Sequence, residues 1–286
     1  MPNTTIKDPK GSALKLFDMA WPDVVEMIKK TDVVVVPTGS VEHHGPHLPC
    51  GFDSYAGYHV CMEACKKANV PMAPLQPFGY SPFHMRPGTL TLSSKTYIAV
   101  MYDIGRSLIF HGFNKLVFVT GHTSNLPSID FVIRSLRYDT GAMAFSYAGD
   151  SETFAPHCMD LIEGKDQLPG WHSGEIETSG AMLFIPELVR KERMEKQLPF
   201  TPAWLPEGSK KISGSGHEMK FKEYPVRFPF ENQEYTKTGV AGNPMLASAE
   251  KGKKIYDRMT DLLAEFLVGL KKTEWKATNR EFPERW

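Results

Sequence analysis

The chain has 286 residues, with 33 basic and 33 acidic side chains and a formal net charge of zero. That balance offers nothing for nucleic acid or an anionic membrane to recognise, and no apolar run reaches membrane-spanning length. The size suits one α/β enzyme domain with a large core, expected over 1–286.

The amino-terminal run Met-Pro-Asn-Thr-Thr-Ile-Lys lacks an apolar signal core, so a cytoplasmic location is expected. Pro22 opens a short helix over 22–30, with Val24, Val25, Met27 and Ile28 as its apolar positions. Val33–Pro37 is a continuous β-branched run, the mark of a buried strand in a parallel sheet. Residues 53–68 follow a helical pattern, and Pro71–Leu75 reads as a second short strand. A turn-rich loop covers 77–92 and an amphipathic helix covers 94–111. Lys115–Thr120 is another buried-type strand, followed by a helix over roughly 127–139 and a strand at Met143–Tyr147. The apolar stretch Ala181–Ile185 follows a glycine-containing loop, and a long helix is expected over 245–271. Cys50, Cys61, Cys65 and Cys158 show no zinc-finger spacing and are expected to be free thiols of a reducing cytosol.

Strands that alternate with helices imply a mostly parallel sheet covered on both faces, with ligands outside the carboxyl ends of its strands. Chemistry-bearing residues gather at those ends. Glu42, His44 and Asp53 follow the first strand. Glu42 and His44 are two apart, so in an extended loop their side chains point the same way. Carboxylate and imidazole together suit zinc, manganese or iron, and a carboxylate such as Asp53 can bridge two ions about 3.5–4 Å apart. The alternative for Asp53 is a cap on the helix that follows. Gly121-His122-Thr123-Ser124-Asn125 follows a second strand, where a turn needing no function is the alternative. Trp171-His172-Ser173-Gly174-Glu175-Ile176-Glu177 supplies a histidine and two carboxylates; the same residues suit a helix start, where acids favour the dipole.

Together these clusters resemble the creatininase (creatinine amidohydrolase) family. The resemblance rests on Gly39-Ser-x-Glu42-x-His44-Gly-Pro-His-Leu-Pro-x-x-x-Asp53, on Gly121-His122-x-x-Asn125, on His172-x-Gly-x-x-Glu177-Thr-Ser, and on the Pro87-Gly88-Thr89 turn. It implies a three-layer α/β/α sandwich with a mostly parallel sheet and a binuclear centre of two divalent ions (Zn, Mn or Fe). It also implies a homo-oligomer, often a hexamer, and hydrolysis of C–N bonds in small cyclic amides or formamides. Carried over by position, Glu42, Asp53 and His122 hold one metal, and His44 with bridging Asp53 holds the other. Where creatininase itself carries a second-metal Glu two residues after the motif histidine, this chain has Ser124; Glu177 is the expected replacement. That departure argues against creatinine as the substrate.

The expected chemistry is attack of an activated water on a carbonyl, with His172 as general acid toward the leaving nitrogen. Glu175 is expected to orient His172 or to bind a polar substrate group. Tyr80, Thr123, Ser124 and Trp171 are expected substrate contacts, with packing as the alternative. A rival hydrolase with the same metals would open a cyclic polyol-derived ketone by C–C cleavage. The substrate-facing loops at 77–92 and 199–240 would decide between them, through His84, Arg86, His217, Lys220, Lys222 and Arg227, for which a solvated surface is the alternative. A non-catalytic binding protein is the third reading, but no GxGxxG or P-loop follows the first strand.

Overall fold

The computed structural model describes residues 14–165, 171–212 and 218–277. His217 and the amino-terminal segment discussed above lie outside them.

Three parallel strands, β1 (Val33–Thr38), β2 (Lys115–Thr120) and β3 (Met143–Ala148), lie side by side in that order. Val33 is in register with Lys115, and Lys115 with Met143. The first two are buried at every position, which explains why Val33–Val36 and Leu116–Val119 run apolar rather than alternating.

Successive side chains of a strand point to opposite faces, and here they feed two cores. Val34, Val36, Leu116 and Phe118 pack with α1 (Trp21–Lys30), α3 (Ser94–His111) and α4 (Leu126–Thr140). Val33, Val35, Val117 and Val119 pack with α2 (Phe52–Ala68), α6 (Glu175–Phe184) and α7 (Ala249–Lys272). The result is the α/β/α sandwich expected, with a short helix α5 (Ser151–Phe154) after β3. A separate antiparallel sheet of β4 (Ser209–Lys211), β5 (Glu218–Phe221) and β6 (Tyr224–Arg227) was not anticipated. None of the described helices is long and apolar enough to cross a membrane.

Several expectations need correction. Pro71–Leu75 is not a strand of the sheet; it runs beside β1 through isolated bridges at Met72 and Gln76, because Pro71 has no N–H to give β1 and Pro37 has none to give the Ala73 carbonyl. The apolar stretch Ala181–Ile185 is the end of α6, whose last turn is residues 181–184. The long terminal helix begins at Ala249, where the Ser248 side chain accepts from the Lys251 N–H, and Pro244–Leu246 forms a separate 3₁₀ turn. Gly51, not Asp53, is the N-cap of α2. All four cysteines are free, and burial pushes the Cys158 thiol up to about 11.

Candidate metal centre

Two close backbone approaches set up the site. A Cβ on Gly39 would lie 2.6 Å from the Ser54 Cα, and one on Gly121 would strike the Asp53 carbonyl oxygen. Only glycine lets the ends of β1 and β2 settle against the first turn of α2. The loop after β1 then carries Glu42 and His44, the turn after β2 carries His122, and α2 presents Asp53 beside both. Glu177 arrives from the first turn of α6, where the helix dipole favours a carboxylate. His172 arrives just before it, next to Ser173, which holds a left-handed backbone with φ of 53° of the kind that clusters at functional sites.

All six of these side chains are buried. His44 Nε2 lies 3.0 Å from Asp53 Oδ1 and 3.9 Å from Glu177 Oε2. His122 Nδ1 lies 3.1 Å from Asp53 Oδ2, and its Nε2 lies 3.3 Å from Glu42 Oε2. Two groups of three ligand atoms, Glu42–Asp53–His122 and His44–Asp53–Glu177, each fit within 4.8 Å and share Asp53. A third group of that size, Glu42–His44–His172, shares one residue with each of them, and a fourth, His43–His84–His172, shares only His172 with the third.

Each imidazole is fixed by a main-chain carbonyl. His44 Nδ1 donates to the Glu42 oxygen at 3.0 Å, His122 Nε2 to the Tyr80 oxygen at 3.1 Å, and His172 Nε2 to the His43 oxygen at 2.8 Å. A carbonyl can only accept, so the second nitrogen of each ring is the one offered to the site. For His44 and His122 that nitrogen meets an oxygen of Asp53. Two lone-pair atoms about 3 Å apart in a buried site need a proton or a cation between them. Asp53 Oδ2 accepts no hydrogen bond despite its closeness to His122, so the ring and carboxylate are not aligned for a proton. An orphaned buried carboxylate oxygen within a set of imidazoles and carboxylates fits a divalent metal.

Without a cation, the charges hold one another. Burial opposes charge on His44, but Asp53, Glu177 and Glu42 outweigh it and hold its pKa at about 10. Burial likewise opposes His122, and Glu42 and Asp53 hold it at about 9. Burial raises Asp53, but His44 and His122 prevail and its pKa is lowered. Burial raises Glu42, and it raises Glu177 to about 7. His172 is driven well below its usual value by burial, with His44 and His43 adding to the effect, and is therefore neutral near pH 7.

The remaining residues divide. Ser124, Thr123 and Trp171 line the inner pocket of about 20 Å³ with Glu42, Asp53, His122, His172 and Glu177. The Thr123 hydroxyl is engaged, donating to Asp150 Oδ1 at 2.9 Å. Tyr80 lines an outer cleft instead, and contributes its carbonyl to His122. Glu175 is not brought to the ring of His172. Its carboxylate accepts from the Glu163 and Gly164 N–H groups at 2.9 and 2.8 Å and pairs with Lys251, so it ties α6 to the 163–164 loop and α7.

Ser81 and Asp150 have a part in the site that the sequence did not suggest, and His84, expected on a substrate-facing loop with a solvated surface as the alternative, lies buried in the pocket lining. His84 is buried, with Nε2 3.6 Å from Glu42 Oε1 and Nδ1 3.2 Å from His43 Nε2. Ser81 Oγ lies 3.1 Å from His122 Nε2 and 2.5 Å from Ser40 Oγ. Asp150 lines the pocket directly after β3. The signal for Asp150 was available, since it too follows a parallel strand at its carboxyl end.

The chain is similar to known hydrolases over most of its length. A 3-dehydro-scyllo-inosose hydrolase of Thermotoga maritima is 26% identical over 265 residues, 87% of this chain and 81% of its own. A creatinine amidohydrolase of Pseudomonas putida is 26% identical over 258 residues, 84% of this chain and 90% of its own. A mycofactocin precursor peptide peptidase of Mycobacterium tuberculosis is 27% identical over 241 residues, 80% of this chain and 81% of its own. A crystal structure of creatinine amidohydrolase shares the fold, with a TM-score of 0.71 at 24% identity over 91% of this chain and 99% of that one. Creatininase structures of the same fold include a manganese form and a Zn-Zn form. The family model described as creatinine amidohydrolase matches residues 17–267, and the chain belongs to that creatininase family of hydrolases.

Proposed function

We propose that this protein is a metal-dependent hydrolase that cleaves the C–N bond of a small cyclic amide or formamide. The observation that supports it is the pair of ligand triads meeting at Asp53. Glu42, Asp53 and His122 would hold one divalent ion, and His44, Asp53 and Glu177 the other, whether zinc, manganese or iron. When bound, such a pair activates water near neutral pH and polarises a carbonyl.

The chain's own groups do the rest. His172 is neutral, with Nε2–H donated to the His43 carbonyl and Nδ1 turned toward Glu42 Oε1 at 3.8 Å. It can therefore accept a proton at Nδ1 before it acts as an acid toward the leaving nitrogen. Burial of the site strengthens every charge interaction within it. Ser124 and Trp171, which line the pocket, would contact the substrate.

A second reading, C–C cleavage of a cyclic polyol-derived ketone, draws on the similarity to the inosose hydrolase over 87% of the chain. Both readings use the same triads. Metal analysis of the purified protein beside Asp53→Asn, with a panel of cyclic amides, formamides and cyclic ketones, tests them. Bound transition metal, turnover lost in Asp53→Asn, and amine release support C–N hydrolysis; acid formed without nitrogen release moves the reading to C–C cleavage. A wild-type protein without transition metal, matched in rate by Asp53→Asn, overturns both.

A further inference from the structure

The inner pocket has room for water-sized guests only, about 20 Å³. Beside it lies a cleft of about 550 Å³, the size that ordinarily takes an organic ligand. Thr123 and Ser124 line both, so the two spaces meet at the turn after β2. The cleft walls are largely apolar: Ile98 from α3, Leu126 and Phe131 from α4, and Phe228 and Pro229 beyond β6. Phe131 is 63% exposed, a position at which a phenyl ring has no core to serve. Glu218 and Arg227, register partners across β5 and β6, bring one charge of each sign to the same cleft, so a ligand there need carry no net charge.

From the continuity of an apolar cleft with a water-sized reaction pocket, we infer that the substrate is an amide carrying an apolar group, which lies in this cleft while the scissile carbonyl meets the metal triads. The inference rests on the metal-dependent C–N hydrolase reading and replaces its small bare ring or formamide with an amide that bears an apolar substituent. A small polar ring would leave these apolar walls in water. An amide with a leucine- or phenylalanine-sized substituent removes them from water, which is favourable in proportion to the area covered. Ser124 stands at the junction, with a short side chain that leaves the way from one space to the other low.

The test measures binding of N-acetylphenylalanine amide and N-acetylglycine amide by calorimetry, to metal-loaded and metal-stripped protein, in wild type, Phe131→Ala and Ile98→Ala. The phenylalanine probe is expected to bind about 10- to 100-fold more tightly than the glycine probe, the range for burying one large apolar side chain. The preference should persist without metal and shrink severalfold in each variant. Equal affinity for the two probes, or a preference that both substitutions leave intact, overturns the inference. So does a cleft covered by a second copy, seen as no probe binding together with an oligomer that Phe131→Ala dissociates. Failure of the hydrolase reading looks different: the binding preference survives while no amide is turned over.

Discussion

His44 and Asp53 face each other across 3.0 Å, and the opposite nitrogen of the same imidazole is committed to the Glu42 carbonyl. In the cation-free protein that gap is closed by a proton, because, against the effect of burial, Asp53, Glu177 and Glu42 raise His44 to a pKa of about 10; His122 is charged too, at about 9, though its ring is not aligned with Asp53 Oδ2. A divalent ion has to displace those protons to reach the lone pairs.

Metal binding should therefore release protons. Both pKa values are raised, so both rings are charged below pH 9 in the absence of metal. Affinity is expected to rise with pH from 6.5 to 8.5 by up to about tenfold per pH unit for each proton displaced, and to level off above about pH 10. Calorimetry in buffers of different ionisation enthalpy reads the proton count directly. A pH-independent affinity over that range would contradict the arrangement. By the same sign, the stripped protein keeps its histidine–carboxylate stabilisation at neutral pH and loses it as pH rises through about 9 and 10.

His172→Asn should retain both metals and lose about 10²–10⁴-fold in turnover, the usual range for a positioned proton-transfer group. Elemental analysis separates this role from ligation. If the variant holds one metal fewer, His172 is a ligand, as its nearness to Glu42 and His44 would also allow.

Glu175→Gln should damage the fold and spare the chemistry. The substitution leaves a buried Lys251 contact and two backbone N–H groups with a weaker acceptor. A loss of about 2 kcal/mol, or about 4–8 °C in Tm, is expected. The kcat of the folded fraction should stay near that of wild type. A fall in kcat at unchanged Tm would restore Glu175 to the reaction.

Gly121→Ala and Gly269→Ala should act in opposite directions. At 121 the new methyl group meets the Asp53 carbonyl and the Gly57 backbone, the latter at 3.1 Å, so β2 and α2 must part and His122 must leave Asp53. Metal affinity should fall at least about tenfold, in line with losses from disturbed ligand support. At 269, inside α7, a Cβ meets nothing within 4 Å, and alanine should stabilise by up to about 1 kcal/mol through helix propensity. Chemical denaturation and competition with a chelator measure the two effects.

The buried strands β1 and β2 were legible because a strand covered on both faces has no reason to alternate, and Val33–Val36 and Leu116–Val119 do not. That Glu42, His44, Asp53, His122 and Glu177 come together was legible because chemistry-bearing residues collect beyond the carboxyl ends of such strands and at helix starts. His84 was legible only as a residue of a substrate-facing loop: it ends the short 3₁₀ turn Pro82–His84, and only the folded chain shows that turn pressed against Glu42. Asp150 read as an ordinary residue because it is also the N-cap of α5, accepting from the Thr153 N–H. Helix α6 was legible only as a helix start before Glu177, because Thr178, Ser179 and Gly180, which are poor helix formers, obscure its body. Packing supplies what propensity lacks, since Gly180 lies against the Tyr256 ring and Gly252 against the Ser179 carbonyl. The β4–β6 sheet escaped notice because its short strands are largely exposed and rich in charge, with β6 exposed at every position.

Tyr80 holds His122 through its carbonyl oxygen while it also lines the outer cleft. Every residue type has that carbonyl. Exchange of the phenol side chain for another group would remodel the cleft and leave the support of His122 in place. The protein can thus alter what it accepts without loosening what it uses to react, an insulation of selectivity from reactivity written into one peptide unit.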